Sequence, residues 1–146
     1  MSTDTELYAQ DFYAWALKNA ELLRQGRLSE IDAVNVAEEL ESMGKSDKRE
    51  LLSRLEELLL HLLKWRYQPQ QRGSSWAISI IKQRDGLADL LEDSPSLKPG
   101  LVAQFAKAYR RARRYASQET GLPLTTFPAT SPFTVEQAID EQFWPE

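Results

Sequence analysis

The chain contains no cysteine, one histidine and only six glycines in its 146 residues. The first absence excludes a disulfide framework, a thiol nucleophile and any thiolate-bound metal. The second leaves His61 as the sole base for a serine-type triad, and no strained nucleophile turn accompanies it. Glycine falls mostly at expected helix ends. No β-branched alternating run of any length occurs, so strands are not expected. No apolar run approaches the ~18 residues that a membrane span requires. The longest, "LLLHLLKW", sits between charges. The opening "MSTDTELYAQDF" lacks the basic and apolar regions of a signal peptide. A P-loop, a G-x-S-x-G elbow and an H-E-x-x-H pair are also missing. These gaps lean the reading away from an enzyme and toward a cytoplasmic protein with no membrane role. A net charge of −4 weighs mildly against a primary role on nucleic acid or anionic lipid.

What is present is leucine, alanine, glutamate, lysine, arginine and glutamine, the residues that helices prefer. The expected fold is all-α: a single-domain bundle of about five helices over roughly 4–121, with a wrapped proline-rich C-terminal segment (about 122–146) holding one short final helix. The first helix is expected from about Asp4 to Gln25, stopped by Gly26, with Tyr8, Phe12, Trp15, Ala16 and Leu23 as its core face. A second should start near "SEID", where Ser29 and Asp32 have capping-box spacing, and end near Gly44. Its apolar stripe is Val36, Ala37, Leu40 and Met43. Ser46 is expected to cap the third, which holds eight leucines and closes at Pro69. The fourth begins at Ser74 or Ser75, and the fifth runs from about Pro99 to Thr120, stopped by Gly121. In the tail, Thr134 and Gln137 have capping-box spacing.

Four features invite a chemical reading. The stretch "HLLKWRYQPQQRGSSW" is first a helix–turn–helix corner anchored by Trp65 and Trp76. Its polar edge is a candidate pocket of His61, Trp65, Arg66, Trp76 and Arg84, with Glu41 as a candidate acidic contributor. His61 is expected at the margin of the leucine face, hydrogen-bonded to Glu57. Arg66 and Arg84 fall inside apolar arcs on the helical wheel. Each must find carboxylates or carbonyls there, because an unpaired buried charge costs several kcal/mol. Asp11, Glu39, Glu41 and the free carbonyls near Gln68 are the expected partners, making clamps at the corner. The functional alternative is an anion pocket of Arg66, Arg72, Arg84 and His61.

"AEELES" resembles a carboxylate cluster for magnesium, but Ser42 stands where an i+4 glutamate is needed. No metal, cofactor or catalytic residue is therefore assigned. The fifth helix gathers Lys107, Arg110, Arg111 and Arg114 within about 100° of arc, with Arg113 beside them. A basic stripe is the footprint of a phosphate-backbone binder. Its plainer readings are a solvated face or ion pairs with acid on the second helix.

Taken together, "YAQDFYAWALKNAELLRQGR", "EELESMGKSDKRELLSRLEELLLHLLKW", "YQP", "SSW", "QRDGLADLLEDSPSLK" and "FP…SPFT…DEQFWP" resemble the bacterial "domain of unknown function 29" family. The resemblance covers about Tyr8 to Pro145. It implies a small all-helical protein and brings no established activity. Asp11, Glu39, Glu41, His61, Trp65, Trp76, Arg84 and Phe143 match its pattern, whereas Arg66 lies outside it. The leading expectation is a non-catalytic protein-interaction or regulatory module that meets a protein partner or a second copy of itself. The alternatives are a nucleic-acid-associated accessory protein using the basic helix and, behind it, a metal-dependent phosphohydrolase using Glu38, Glu41 and His61.

Overall fold

The computed structural model describes residues 4–146, and it is all-α, with no strand among them. Six helices follow in order: α1 (Asp4–Gln10), α2 (Phe12–Arg24), α3 (Ala33–Tyr67), α4 (Ser74–Asp93), α5 (Leu101–Thr120) and α6 (Val135–Ile139). Short 3₁₀ turns at Leu28–Glu30, Pro69–Gln71, Pro95–Gly100 and Leu124–Thr126 connect them. Contacts divide the chain into two compact units, Met1–Ser46 and Asp47–Glu146. No described helix is long and apolar enough to cross a membrane.

Several boundaries depart from the sequence expectation. The expected first helix is two, because the Asp11 carboxylate accepts the Ala14 N–H at 3.1 Å and caps a new start there. Gly26 does end α2, in the left-handed region with φ 69°. The expected second and third helices are one: α3 passes through Gly44 and Ser46 without a stop. A mid-helix glycine costs about 1 kcal/mol against alanine, which sustained good helix formers on both sides offset. The Ser29 start is also displaced. That serine lies in a 3₁₀ turn, and the first α3 amides bond at Asp32 instead.

In the second unit the core is built from the leucines of α3. Leu51, Leu55, Leu58, Leu59, Leu62 and Leu63 are at most 1% exposed, and burying each contributes about 1.5–3 kcal/mol. Ile80, Leu87, Leu90 and Leu91 of α4 face them, with Phe105, Ala108, Tyr109, Ala112 and Ala116 of α5. The small α5 residues admit the C-terminal segment, whose Phe127, Phe133, Val135 and Ala138 complete the cluster. The wrapped tail is thus core. Gly121 ends α5 with φ 74°, and Thr134 with Gln137 forms the expected capping box on α6.

The first unit is thinly covered. Its buried residues within α1 and α2 are Trp15, Asn19 and Leu22. Four of the residues expected in the core stand in the open: Phe12 is 51% exposed, Leu23 43%, Leu40 64% and Met43 65%. Periodicity placed them correctly on one apolar face. Two short helices and the first turns of a third have too little surface to enclose it.

Candidate functional site

Three places are candidates for chemistry or recognition: the α3–α4 corner, the basic face of α5, and the apolar face of the first unit.

At the corner, His61 Nδ1 hydrogen-bonds the Glu57 carbonyl oxygen one turn back at 2.8 Å, and the Glu57 carboxylate stands 3.8 Å away. Lys64 places its ammonium 4.8 Å from the Trp76 ring centroid and 3.0 Å from Glu119 of α5. The Arg72 Nε donates to the Trp65 carbonyl at 2.6 Å, and its Nη2 donates to the Pro145 carbonyl at 3.3 Å. Its guanidinium also lies 5.2 Å from the Trp65 ring. Trp65 packs on Trp144, with ring centroids 4.8 Å apart. Arg72 and Trp144 therefore fasten the chain's end to the corner.

Arg84 is the most constrained charge in the molecule. Only 4% exposed, it donates from Nε to the Ala138 carbonyl at 2.8 Å and lies 5.5 Å from the Trp144 ring. Its Nη1 and Nη2 are buried without a hydrogen-bond partner. Burial pulls its pKa below the ordinary arginine value, and the nearby Asp140 charge opposes that shift. A cavity of about 430 Å³ adjoins it, lined by Ile81, Asp85, Glu141, Gln142 and Trp144. Its two acidic walls disfavour an anion.

The sequence-derived constellation is thus partly assembled. Trp65 and Arg84 both meet Trp144, and Trp76 meets Lys64. Arg66 departs from expectation: it is exposed, with its guanidinium 5.6 Å from the Tyr67 ring. Its wheel position lies in the apolar arc, but the last turn of α3 carries it past the covered core. Glu41 is an exposed residue of the first unit. The expected carboxylate partners for Arg84 give way to a main-chain carbonyl of α6. Among the described residues, no three histidine, aspartate or glutamate side chains stand close enough to hold a metal ion.

On α5, Lys107, Arg110, Arg111, Arg113 and Arg114 line a groove of about 500 Å³, with Leu124 and Ala129 as its apolar wall. Three donors at i, i+4 and i+8 hold that wall in place. The Tyr109 hydroxyl donates to the Pro128 carbonyl, Arg113 Nε to the Phe127 carbonyl at 3.0 Å, and Ser117 Oγ to the Leu122 carbonyl at 2.8 Å. Burial pushes the Tyr109 phenol up to about 12. Arg111 bonds Glu56 of α3 at 2.9 Å.

In the first unit, Asn19 organises a polar hinge. It donates to the Trp15 carbonyl at 3.0 Å and accepts the Asp32 N–H at 2.8 Å. The Asp32 carboxylate accepts from Asn35 Nδ2 at 2.8 Å and from Trp15 Nε1 at 3.0 Å. The Asn35 bond, chiefly, holds its pKa below the usual carboxylate range, with the Trp15 bond adding to it. The Tyr8 hydroxyl bonds Glu39, which raises the phenol's pKa. This network fixes α2 against the start of α3 and leaves an apolar groove of about 330 Å³ between them. Phe12, Ala16, Leu23, Val36, Leu40 and Met43 line it. The sequence marked these residues as a stripe but carried no sign that they stay open.

Residues 7–144 match the family model described as "Domain of unknown function DUF29". No curated protein matches the chain, and no solved structure does.

Proposed function

The chain belongs to the family of the domain of unknown function DUF29, and we propose that this member is a non-catalytic interaction module. On this reading its first unit takes up an amphipathic helix with basic flanks from a partner protein. The observation that carries the reading is the open groove between α2 and α3. A row of exposed aromatic and aliphatic side chains on one face is how interaction surfaces differ from ordinary protein surface. A helix laid into such a groove buries its apolar stripe against positions spaced along both walls.

Charge selects the partner. Residues 1–46 hold nine acidic side chains, among them Glu39 in the groove's lining, against the basic Lys18, Arg24, Arg27 and Lys45. A second copy of the same acidic face would meet like charge across a two-fold interface, which disfavours it. A segment with leucine on one face and lysine or arginine on the other meets both requirements. The Asp32–Trp15–Asn19 network holds the groove preformed, which lowers the ordering cost of docking.

The test uses two synthetic helical peptides of equal length, one of leucine and lysine and the other of leucine and glutamate. Titrations are followed by tryptophan fluorescence, since Trp15 lines the groove. The lysine peptide should bind at least about tenfold more tightly than the glutamate peptide. The double variant L40D/M43D should weaken it at least about tenfold, although the variant adds negative charge. Stronger binding to that variant would reveal mere charge attraction and overturn the reading. Self-association of the unliganded chain that L40D/M43D abolishes would make the occupant a second copy and overturn the choice of partner.

A further inference from the structure

We infer that the groove on α5 is a binding site for a polyphosphate group, whether carried by a nucleotide or free as an inorganic chain. The site is separate from the interaction surface on the first unit and does not depend on it. Five cations line the groove, and no carboxylate is among its lining residues. Only Arg111 reaches a carboxylate, Glu56. Arg113 spends its Nε on a neutral carbonyl, so its charge is uncompensated. Lys107, Arg110 and Arg114 are exposed and form no ion pair among the described residues. Four uncompensated positive charges therefore stand along one groove. Lys107, Arg110 and Arg114 are spaced along about 10 Å of helix, at 1.5 Å per residue.

Like charges held this close repel one another, and no hydrogen bond or ion pair among the described residues requires Lys107, Arg110 or Arg114 there. The Tyr109 and Ser117 bonds already fasten the opposing wall. The arrangement is also local. The chain has 18 basic and 22 acidic residues, and the groove gathers five of the basic ones, leaving the remainder strongly acidic.

Charge density decides the ligand class. Four cations within about 10 Å call for a compact anion, and each phosphate brings one to two charges while a peptide carboxylate brings one. Guanidinium forks match phosphate oxygens two at a time, and the lysine adds a point charge. A long nucleic-acid strand fits less well. No aromatic side chain lines the groove for bases to stack on. The apolar wall of Leu124 and Ala129 offers a contact face for a nucleoside or other uncharged body.

The test is calorimetric titration of the full chain with inorganic tripolyphosphate, ATP, a single-stranded oligothymidylate and a glutamate-rich peptide. Arg110 and Arg114 are the residues to change, because both are exposed and hold no other element in place. Tripolyphosphate or ATP should bind at low salt and weaken as salt rises. The variant R110A/R114A should bind at least about 30-fold more weakly, while K48A/R49A, at exposed positions on α3, should be unchanged. ATP binding more tightly than tripolyphosphate would assign the Leu124 wall to the nucleoside, and equal affinity would assign the site to the phosphates alone. Three results would overturn the inference: no binding at low salt, equal binding by R110A/R114A, or tighter binding of the oligonucleotide or the acidic peptide.

Discussion

Replacing Arg84 with methionine separates a structural charge from a liganded one. The Arg84 side chain is buried against Trp144 with one hydrogen bond, from Nε to the Ala138 carbonyl, and with both terminal nitrogens unpartnered. Methionine fills a similar volume with a flexible apolar chain. The change gives up the Nε bond, about 1 kcal/mol, and the contact with the Trp144 ring, about another. It also leaves the Ala138 carbonyl unpaired, at about 1–3 kcal/mol. Against these stand the desolvation of a buried charge and two unbonded donor ends, each costing about 1–3 kcal/mol. The opposing effects nearly cancel. Arg84→Met is therefore expected within about 1 kcal/mol of the parent, or slightly more stable. Arg84→Ala removes the stem as well and should lose about 2–3 kcal/mol through the two missing methylenes and the space they leave. The assay is urea unfolding followed by circular dichroism, comparing midpoints at matched slopes. A loss above about 3 kcal/mol for Arg84→Met would refute the reasoning, because the guanidinium ends would then have to be bonded to a partner.

Two further expectations rest on single residues. The Tyr109 phenol is raised from 10.0 to about 12, so the folded state favours its neutral form. Its stabilising contribution is full below pH 10 and is lost as pH rises from 10 to 12, by about 3 kcal/mol in all. Tyr109→Phe should remove that alkaline slope while costing about 1 kcal/mol at neutral pH, as pH-dependent unfolding curves would show. Gly44 lies inside α3, and a Cβ added there would have open space, with no neighbouring atom within 4 Å. Gly44→Ala should therefore stabilise the chain by about 1 kcal/mol. Destabilisation on thermal unfolding would mean that α3 breaks at Gly44 after all.

The residues that sequence reasoning placed well are those governed by local rules. The α3 leucines, the Gly26 and Gly121 stops, the Thr134–Gln137 capping box and the α5 basic face all follow from spacing along one helix. It misjudged choices settled by competition between neighbours. Asp11 carries a cap that breaks the first helix in two, yet the apolar period runs through it unbroken. Gly44 has the form of a stop and is carried by the helix around it. The wheel places Arg66 and Arg84 alike on apolar arcs, but only Arg84 has an element folded over it. That element, α6 with Trp144, arrives from the far end of the chain; a wrapped tail is expected from the sequence, but no local pattern announces that it lands over Arg84. Hydrophobic periodicity likewise shows which face of α2 and early α3 is apolar, but not that Phe12, Leu40 and Met43 remain uncovered.

The measurement that bears most directly on the proposed function is a two-dimensional NMR titration of the labelled chain with the leucine–lysine helical peptide. Docking in the groove should shift the amides of Phe12 to Leu23 and Val36 to Met43, together with the Trp15 indole N–H, while α5 stays unmoved. Shifts scattered over the acidic surface, shifts confined to residues outside 1–46, or no shifts at all would contradict it.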